Sequence, residues 1–238
     1  MKIKKAIILF IGLFGITLFS GFNFLQNENI LKSDKDIFEL VVRKVKKNEN
    51  KSYQKAYDDY FKEIGKHDGF VKNKEFVAFY PSQDLDKTDV YVGITQWESL
   101  KQYGNSSESL MRSALVQNYF SSFTFESYIH IIPADNKEFD FESVSVKSEK
   151  VLEILIYKEN KGYNKSKQEN YINELLKQKG LIFTKNFNSV ADNTKVILTY
   201  WDTKTTYNNS NDNIQLQQLK KEFYSTIKIK SHYATQNK

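Results

Sequence analysis

The sequence predicts an α+β protein in which one βαββαβ unit is written twice, and two internal matches carry that prediction. Thr95-Gln96-Trp97-Glu98-Ser99, followed by Tyr103-Gly104-Asn105, corresponds to Thr199-Tyr200-Trp201-Asp202-Thr203, followed by Tyr207-Asn208-Asn209, with 104 residues between partners. The chain's 2 tryptophans therefore fall on each other. Upstream, Tyr53 to Phe76 parallels Tyr163 to Phe187, and the two stretches carry Gly69-Phe70 and Gly180-Leu181. A repeat of about 100 residues is the size of a domain, so it implies two copies of a domain and not a solenoid.

Each unit reads in the same order. Phe38 to Val45 is an apolar strand. Tyr53, Ala56, Tyr57, Tyr60, Phe61 and Ile64 then recur at helical spacing, with Lys55, Asp58, Asp59, Lys62 and Glu63 between them, which is one apolar stripe on a helix. Gly65 and Asp68-Gly69 stop that helix, and strands follow at Glu75 to Tyr80 and Val90 to Trp97. A second helix carries Leu110, Met111, Ala114, Leu115, Asn118 and Tyr119, and Phe123 to Ile132 is the closing strand. The second unit repeats this with Val151–Tyr157, a helix ending at Gly180, Ile182–Phe187, Lys195–Trp201, a helix through Leu216, Leu219 and Phe223, and Ile227–Tyr233. This is the ferredoxin-like arrangement, two helices on one face of a four-stranded antiparallel sheet. Both strand faces are apolar or aromatic, so the two helix-free faces are expected to meet in a closed barrel within one chain. Repeat 1 spans 36–133, repeat 2 spans 151–235, and 134–150 joins them. Phe139, Phe141, Val144 and Val146 in that linker suggest an extra strand crossing between the halves.

Ahead of the repeats, Met1 to Lys5 is a basic head and Ala6 to Phe19 a run without charge. Residues 1–26 read as a signal peptide or, since Ala6 to Leu25 is long enough to span a bilayer, as an N-terminal membrane anchor. Either way the remainder is extracytoplasmic: periplasmic, secreted or held at the outer face of the cytoplasmic membrane. The chain has 35 Lys+Arg against 29 Asp+Glu and a net charge of +6. Its N-terminal 25 residues hold three Lys and no acid, so the exported part carries +3 with both signs interspersed, a solvated surface and not a nucleic-acid stripe. With 0 Cys, disulfide scaffolds, thiol catalysis and Cys-ligated metals are excluded. The 3 histidines have no metal-ligand spacing, so no metal site is expected. No G-x-S-x-G, Walker or G-x-G-x-x-G motif occurs.

Gly-Phe after the first helix, then a strand ending Thr-x-Trp-Glu-Ser with Tyr six residues past the Trp, resembles the dimeric α/β-barrel superfamily, in particular antibiotic-biosynthesis-monooxygenase (ABM) domains. The resemblance covers about residues 36–235. It implies two domains paired face to face, here as two pseudo-dimeric halves of a monomer. It further implies an activity drawn from cofactor-free oxygenation of polyphenols and quinols, haem degradation, or none. By resemblance, Trp97 and Trp201 face the barrel. The haem-degrading branch adds a His on the second helix and an Asn on the first strand, and this sequence has neither, so no haem is implied and no other cofactor.

Strand alternation gives the candidate site. If Trp97 faces the lumen, so do Tyr91, Gly93 and Thr95, with Gly93 leaving space beside the Trp. Arg43, Glu126, Tyr128 and His130 are placed in the same lumen on the first and last strands. His130 or Glu126 could act as general base, Arg43 could stabilise a phenolate-like anion, and Trp97 and Tyr91 could stack on an aromatic ring. The plainer reading is that Trp97 is a core residue, with Ser99 capping the helix behind it, that Glu126 and Arg43 form an exposed ion pair, and that His130 is a strand histidine. The sequence thus leaves three functions: binding a small aromatic or apolar molecule in the lumen, cofactor-independent monooxygenation of quinol-type substrates, or a structural role in the envelope. No nucleic-acid partner is expected, and membrane contact only through an uncleaved N-terminal segment.

Overall fold

The computed structural model describes residues 36–81, 85–110, 113–144 and 149–237. The expected signal or anchor segment, and Val146 of the linker, lie outside the described residues. Eight strands form one antiparallel barrel: β1 (Ile37–Lys46), β2 (Phe70–Tyr80), β3 (Thr88–Trp97), β4 (Thr124–Pro133), β5 (Val151–Glu159), β6 (Leu181–Ser189), β7 (Thr194–Trp201) and β8 (Ile227–Asn237). The order around the barrel is β1-β3-β2-β8-β5-β7-β6-β4, and β4 closes it by pairing with β1. Each half is wound alike, β4-β1-β3-β2 and β8-β5-β7-β6, and the halves join at two seams, β2·β8 and β4·β6. Closure leaves no free edge strand.

Among the described residues six helices surround the barrel: α1 (Asn50–Ile64), α2 (Leu100–Leu110), α3 (Ala114–Ser121), α4 (Lys165–Leu175), α5 (Lys204–Asn211) and α6 (Ile214–Tyr224). The region read as a single second helix in each unit is two helices, because local caps divide it. Ser99 Oγ accepts from Gln102 N at 3.2 Å and starts α2, while the Ser113 side chain caps α3. In the second half a Thr203 capping box starts α5 and Asn213 caps α6. Gly69 and Gly180 sit at φ +82° and +83° ahead of β2 and β6, where only glycine is unstrained, and their carbonyls accept from Glu98 N and Asp202 N at 2.9 and 2.8 Å.

Two kinds of core follow from strand alternation. Phe38, Leu40 and Val42 of β1, Val90, Val92 and Ile94 of β3, Leu152, Ile154 and Ile156 of β5, and Val196 and Leu198 of β7 meet inside the barrel. Opposite-parity residues meet the helices: Trp97, Tyr91, Tyr53, Tyr60 and Tyr119 in the first half, Trp201, Tyr171, Leu216 and Phe223 in the second. The linker forms no strand among its described residues. It carries a 3-10 turn at Phe141–Ser143 and buries Phe139, Phe141 and Val144 inside the barrel. Phe38 meets Phe139, Phe141 and Phe187 edge-on at centroid separations of 5.4, 5.8 and 5.9 Å. Lys74 Nζ fastens this plug by donating to the Phe141 and Val144 carbonyls, each at 2.6 Å. The lumen is therefore a packed interior, and the expected ligand cavity within it is corrected: β4 ends and β5 begins at the same mouth, so the short connection must cross that mouth and can bury its aromatic side chains only inward.

Candidate functional site

The parity grouping of the sequence-predicted residues of β3 holds, but the face is reversed. Tyr91, Gly93, Thr95 and Trp97 lie on the helix side of β3, as do Glu39 and Arg43 of β1. Trp97 is fully buried against the rings of Phe70 and Tyr103, with Nε1 at 3.4 Å from Glu39 Oε2, and Trp201 is buried beneath α5. The barrel-facing position expected for both tryptophans is thus corrected. The reason is physical: an indole needs more depth than a barrel already filled by aliphatic and Phe side chains provides, and the helix layer offers it.

Arg43 is the centre of the first half's buried polar group, 2% exposed. Nη1 donates to Glu75 Oε1 at 3.0 Å and to Tyr53 OH at 3.3 Å, and Tyr53 OH donates to the same carboxylate. The guanidinium also lies 5.5–5.8 Å from the ring centres of Tyr57, Tyr119 and Phe123. Gly93 makes room for this group and not for the Trp, since a Cβ there would stand 2.5 Å from Arg43 Nη2. Glu126 does not join it. A bulge in β4 opposite Val42 and Arg43 turns Glu126 outward, where it pairs with Lys44 at 2.9 Å. The expected exposed Arg43–Glu126 pair is corrected to two separate pairs. Thr95 Oγ1 donates to Asn73 at 2.9 Å.

Tyr128 and His130 gather around Tyr103. The two tyrosine hydroxyls are 2.5 Å apart, and the His130 ring lies 4.3 Å from that of Tyr103. His130 Nε2 is buried without a hydrogen bond among the described residues, and burial pushes the imidazole down to about 4. It is neutral at physiological pH. Burial likewise raises Glu39, more than bonds from Tyr128 and Trp97 lower it. This first-half cluster is a packed, mostly sealed polar layer.

The open site is in the second half. Register equates Glu39 with Glu153, Tyr128 with His232, and Gly93 with Ile197. Where the first half seats Arg43 over a glycine, the second has Tyr157 and a buried Ile197. Its polar group instead sits at the β2·β8 seam: His232 Nε2 is 2.7 Å and Lys220 Nζ 3.4 Å from Glu153 Oε1. Both lie on the wall of a solvent-open cleft of about 490 Å³, with Phe79 and Tyr80 contributed by β2 and Lys204, Tyr207, Asn208 and Tyr224 by α5 and α6. Neither half makes this cleft alone. Tyr80 and Tyr224 stand edge-on to the His232 ring at 5.6 and 5.9 Å. Lys204 Nζ lies 4.1 Å from the centre of the Phe79 ring, and among the described residues no carboxylate pairs with it.

Burial alone would raise the Glu153 carboxyl, but the Lys220 charge and the His232 bond outweigh it and hold the group at about 2. Glu153 is thus an ionised acceptor to which His232 Nε2 donates, and Nδ1 makes no hydrogen bond among the described residues. The folded-state value lies below the ordinary carboxylate range. The resulting stabilisation is therefore complete above about pH 4.5 and lost as pH falls toward 2. Urea titrations across that window should show Glu153→Gln with a shallower loss of stability than the parent chain; parallel curves would refute the assignment.

Sequence reasoning missed this site. His232, Lys220, Glu153 and Tyr80 carry no motif; only the offset between the two units, which aligns Glu153 with Glu39, points to it. The helices of both halves supply no histidine, so no imidazole is offered from α2, α3, α5 or α6 for haem ligation. Among the described residues no group of three His, Asp or Glu side chains is placed to hold a metal ion.

No protein-family model and no curated protein matches the chain. Solved structures do. The chain is similar to a candidate monooxygenase from Fusobacterium nucleatum (TM-score 0.56, 12% identity, 85% of this chain and 92% of that one). It is also similar to an anthrone oxidase-like protein (0.60, 9%, 86% and 92%) and to a candidate chlorite dismutase (0.58, 11%, 85% and 95%). At these identities the likeness shows a shared fold alone, an antiparallel α+β barrel.

Proposed function

We propose that this chain is an exported ABM-like protein, two ferredoxin-like copies in tandem, that binds a small planar phenol in the seam cleft. The observation that carries the reading is the ionised Glu153 holding His232 on the wall of an aromatic-lined cleft of about 490 Å³, a volume in the range of small-molecule sites. Glu153 fixes the imidazole so that Nδ1 accepts a phenolic proton. Lys220 and Lys204 stabilise the oxyanion that results, and Tyr80, Tyr224 and Phe79 supply ring contacts.

A second reading is favoured by the same Glu153–His232 pair: a cofactor-independent monooxygenase on quinol- or anthrone-type substrates, as the name of one structural neighbour suggests for that neighbour. Removing a proton from an electron-rich ring gives an anion able to reduce O₂ directly. At a ring CH₂, one oxygen atom ends as the carbonyl and the other leaves as water with the two hydrogens. The export reading and the ABM motifs are compatible with either.

Calorimetric titration with hydroquinone and 1,8-dihydroxyanthrone tests the site. His232→Ala should weaken binding by about 10- to 100-fold, the value of a charge-assisted hydrogen bond, whereas His130→Ala should leave it unchanged. No binding by the parent chain, or loss in His130→Ala alone, would overturn the proposal. Oxygen uptake with the same compounds separates turnover from binding.

A further inference from the structure

We propose that one end of the barrel, where β1, β2, β5 and β6 begin, rests on a lipid bilayer beside residues 6–25. Strand pairing puts these four starts at the same end, since β1, β2, β5 and β6 are separated from one another only through antiparallel partners. Asp36, the first described residue, is there, held by Gln96 Nε2 at 2.6 Å.

Among the described residues, four of the six large apolar side chains that stand exposed gather at this end: Val71 at 39%, Ile182 at 43%, Leu176 at 57% and Ile214 at 87%. Val71 and Ile182 occupy the same place in the two halves. Each is the extra residue of a bulge just after the glycine turn, between Phe70 and Lys72 and between Leu181 and Phe183, which tips it out of the sheet. A bulged surface position has no packing reason to be aliphatic, and here it is aliphatic twice. Leu176 ends α4, and Ile214 starts α6 on the adjoining turn, joined to it by Asn213 Nδ2 donating to Gln178 Oε1 at 3.2 Å. Exposed Lys177, paired with Glu174 at 2.8 Å, and Lys179 follow Leu176, and aliphatics beside lysines suit the headgroup boundary of a bilayer.

The occupant is fixed by the chain that leads to this end. Residues 6–25 are an apolar stretch of bilayer-spanning length, and only residues 26–35 separate them from Asp36. Ten residues reach at most about 35 Å, so the end that carries the exposed aliphatics is the one tethered toward the bilayer. This rests on the anchor reading of residues 6–25 and is independent of what the seam cleft binds.

The chain is free of cysteine, so single labels can be introduced at exposed positions. Ile182→Cys and Ile214→Cys probe the proposed contact, and Lys46→Cys and Glu159→Cys, where β1 and β5 end, probe the opposite end. Each full-length variant carries an environment-sensitive nitrobenzoxadiazole label and is reconstituted into phosphatidylcholine–phosphatidylglycerol vesicles with doxyl-labelled lipid as quencher. The expected result is blue-shifted, lipid-quenched emission at 182 and 214, and red-shifted emission quenched only by aqueous iodide at 46 and 159. Iodide quenching at all four positions would overturn the proposal. So would labels at 182 and 214 shielded from both quenchers, because a second protein copy would then cover this end.

Discussion

Glu75→Ala should destabilise the fold by about 3–5 kcal/mol, the cost of leaving a buried charge without its partner. Arg43 and Glu75 have side chains 2% and 4% exposed, and their 3.0 Å contact is the only carboxylate contact of the guanidinium among the described residues. Water cannot replace it: Tyr57, Tyr119 and Phe123 stand around the guanidinium, and Nε is already without a partner there. The proof is the double variant. Arg43→Met with Glu75→Ala should recover much of the loss, because the stranded cation is removed with its partner. Urea unfolding with an unchanged m-value measures both, and a Glu75→Ala cost below about 1 kcal/mol would show the pair to be solvated.

Gly93→Ala should cost about 2–3 kcal/mol, from overpacking in a site that cannot relax. The added methyl would lie 2.5, 2.8 and 3.0 Å from Nη2, Nη1 and Cζ of Arg43. The end of an arginine usually swings aside at little cost. This one is held by Glu75 and Tyr53, so moving it breaks the bonds that keep the charge buried. In an Arg43→Met background the same Gly93→Ala change should become nearly neutral, since the atoms it strikes are gone. An equal cost in both backgrounds would place the strain in the β3 backbone instead.

These residues also show what could be read before the fold was seen. The strand order, the α1 stripe through Tyr53 and Tyr60, the glycine turns and the Ser99 cap all follow from local chemistry, and all have counterparts in the structure. Alternation correctly grouped Tyr91, Gly93, Thr95 and Trp97 on one face. It could not say which face the helices cover, because Val90, Val92 and Ile94 are as apolar as their neighbours, and polar Arg43, Tyr128 and His130 suggested an open lumen where there is a sealed layer. Phe139 and Phe141, whose alternation suggests a crossing strand, instead plug the barrel. Two phenylalanines in a short linker need burial, and a linker that crosses a barrel mouth can find it only inside. The seam cleft depends on β2 meeting α6, some 140 residues later in the chain, a juxtaposition that no local pattern contains.

The most direct test of the seam cleft is a histidine-resolved NMR titration with 1,8-dihydroxyanthrone, since His67, His130 and His232 each report a different part of the molecule. The account predicts that the His232 ring nitrogens shift and saturate while His130 and His67 stay still. A response centred on His130, beneath the first-half helices, would contradict it.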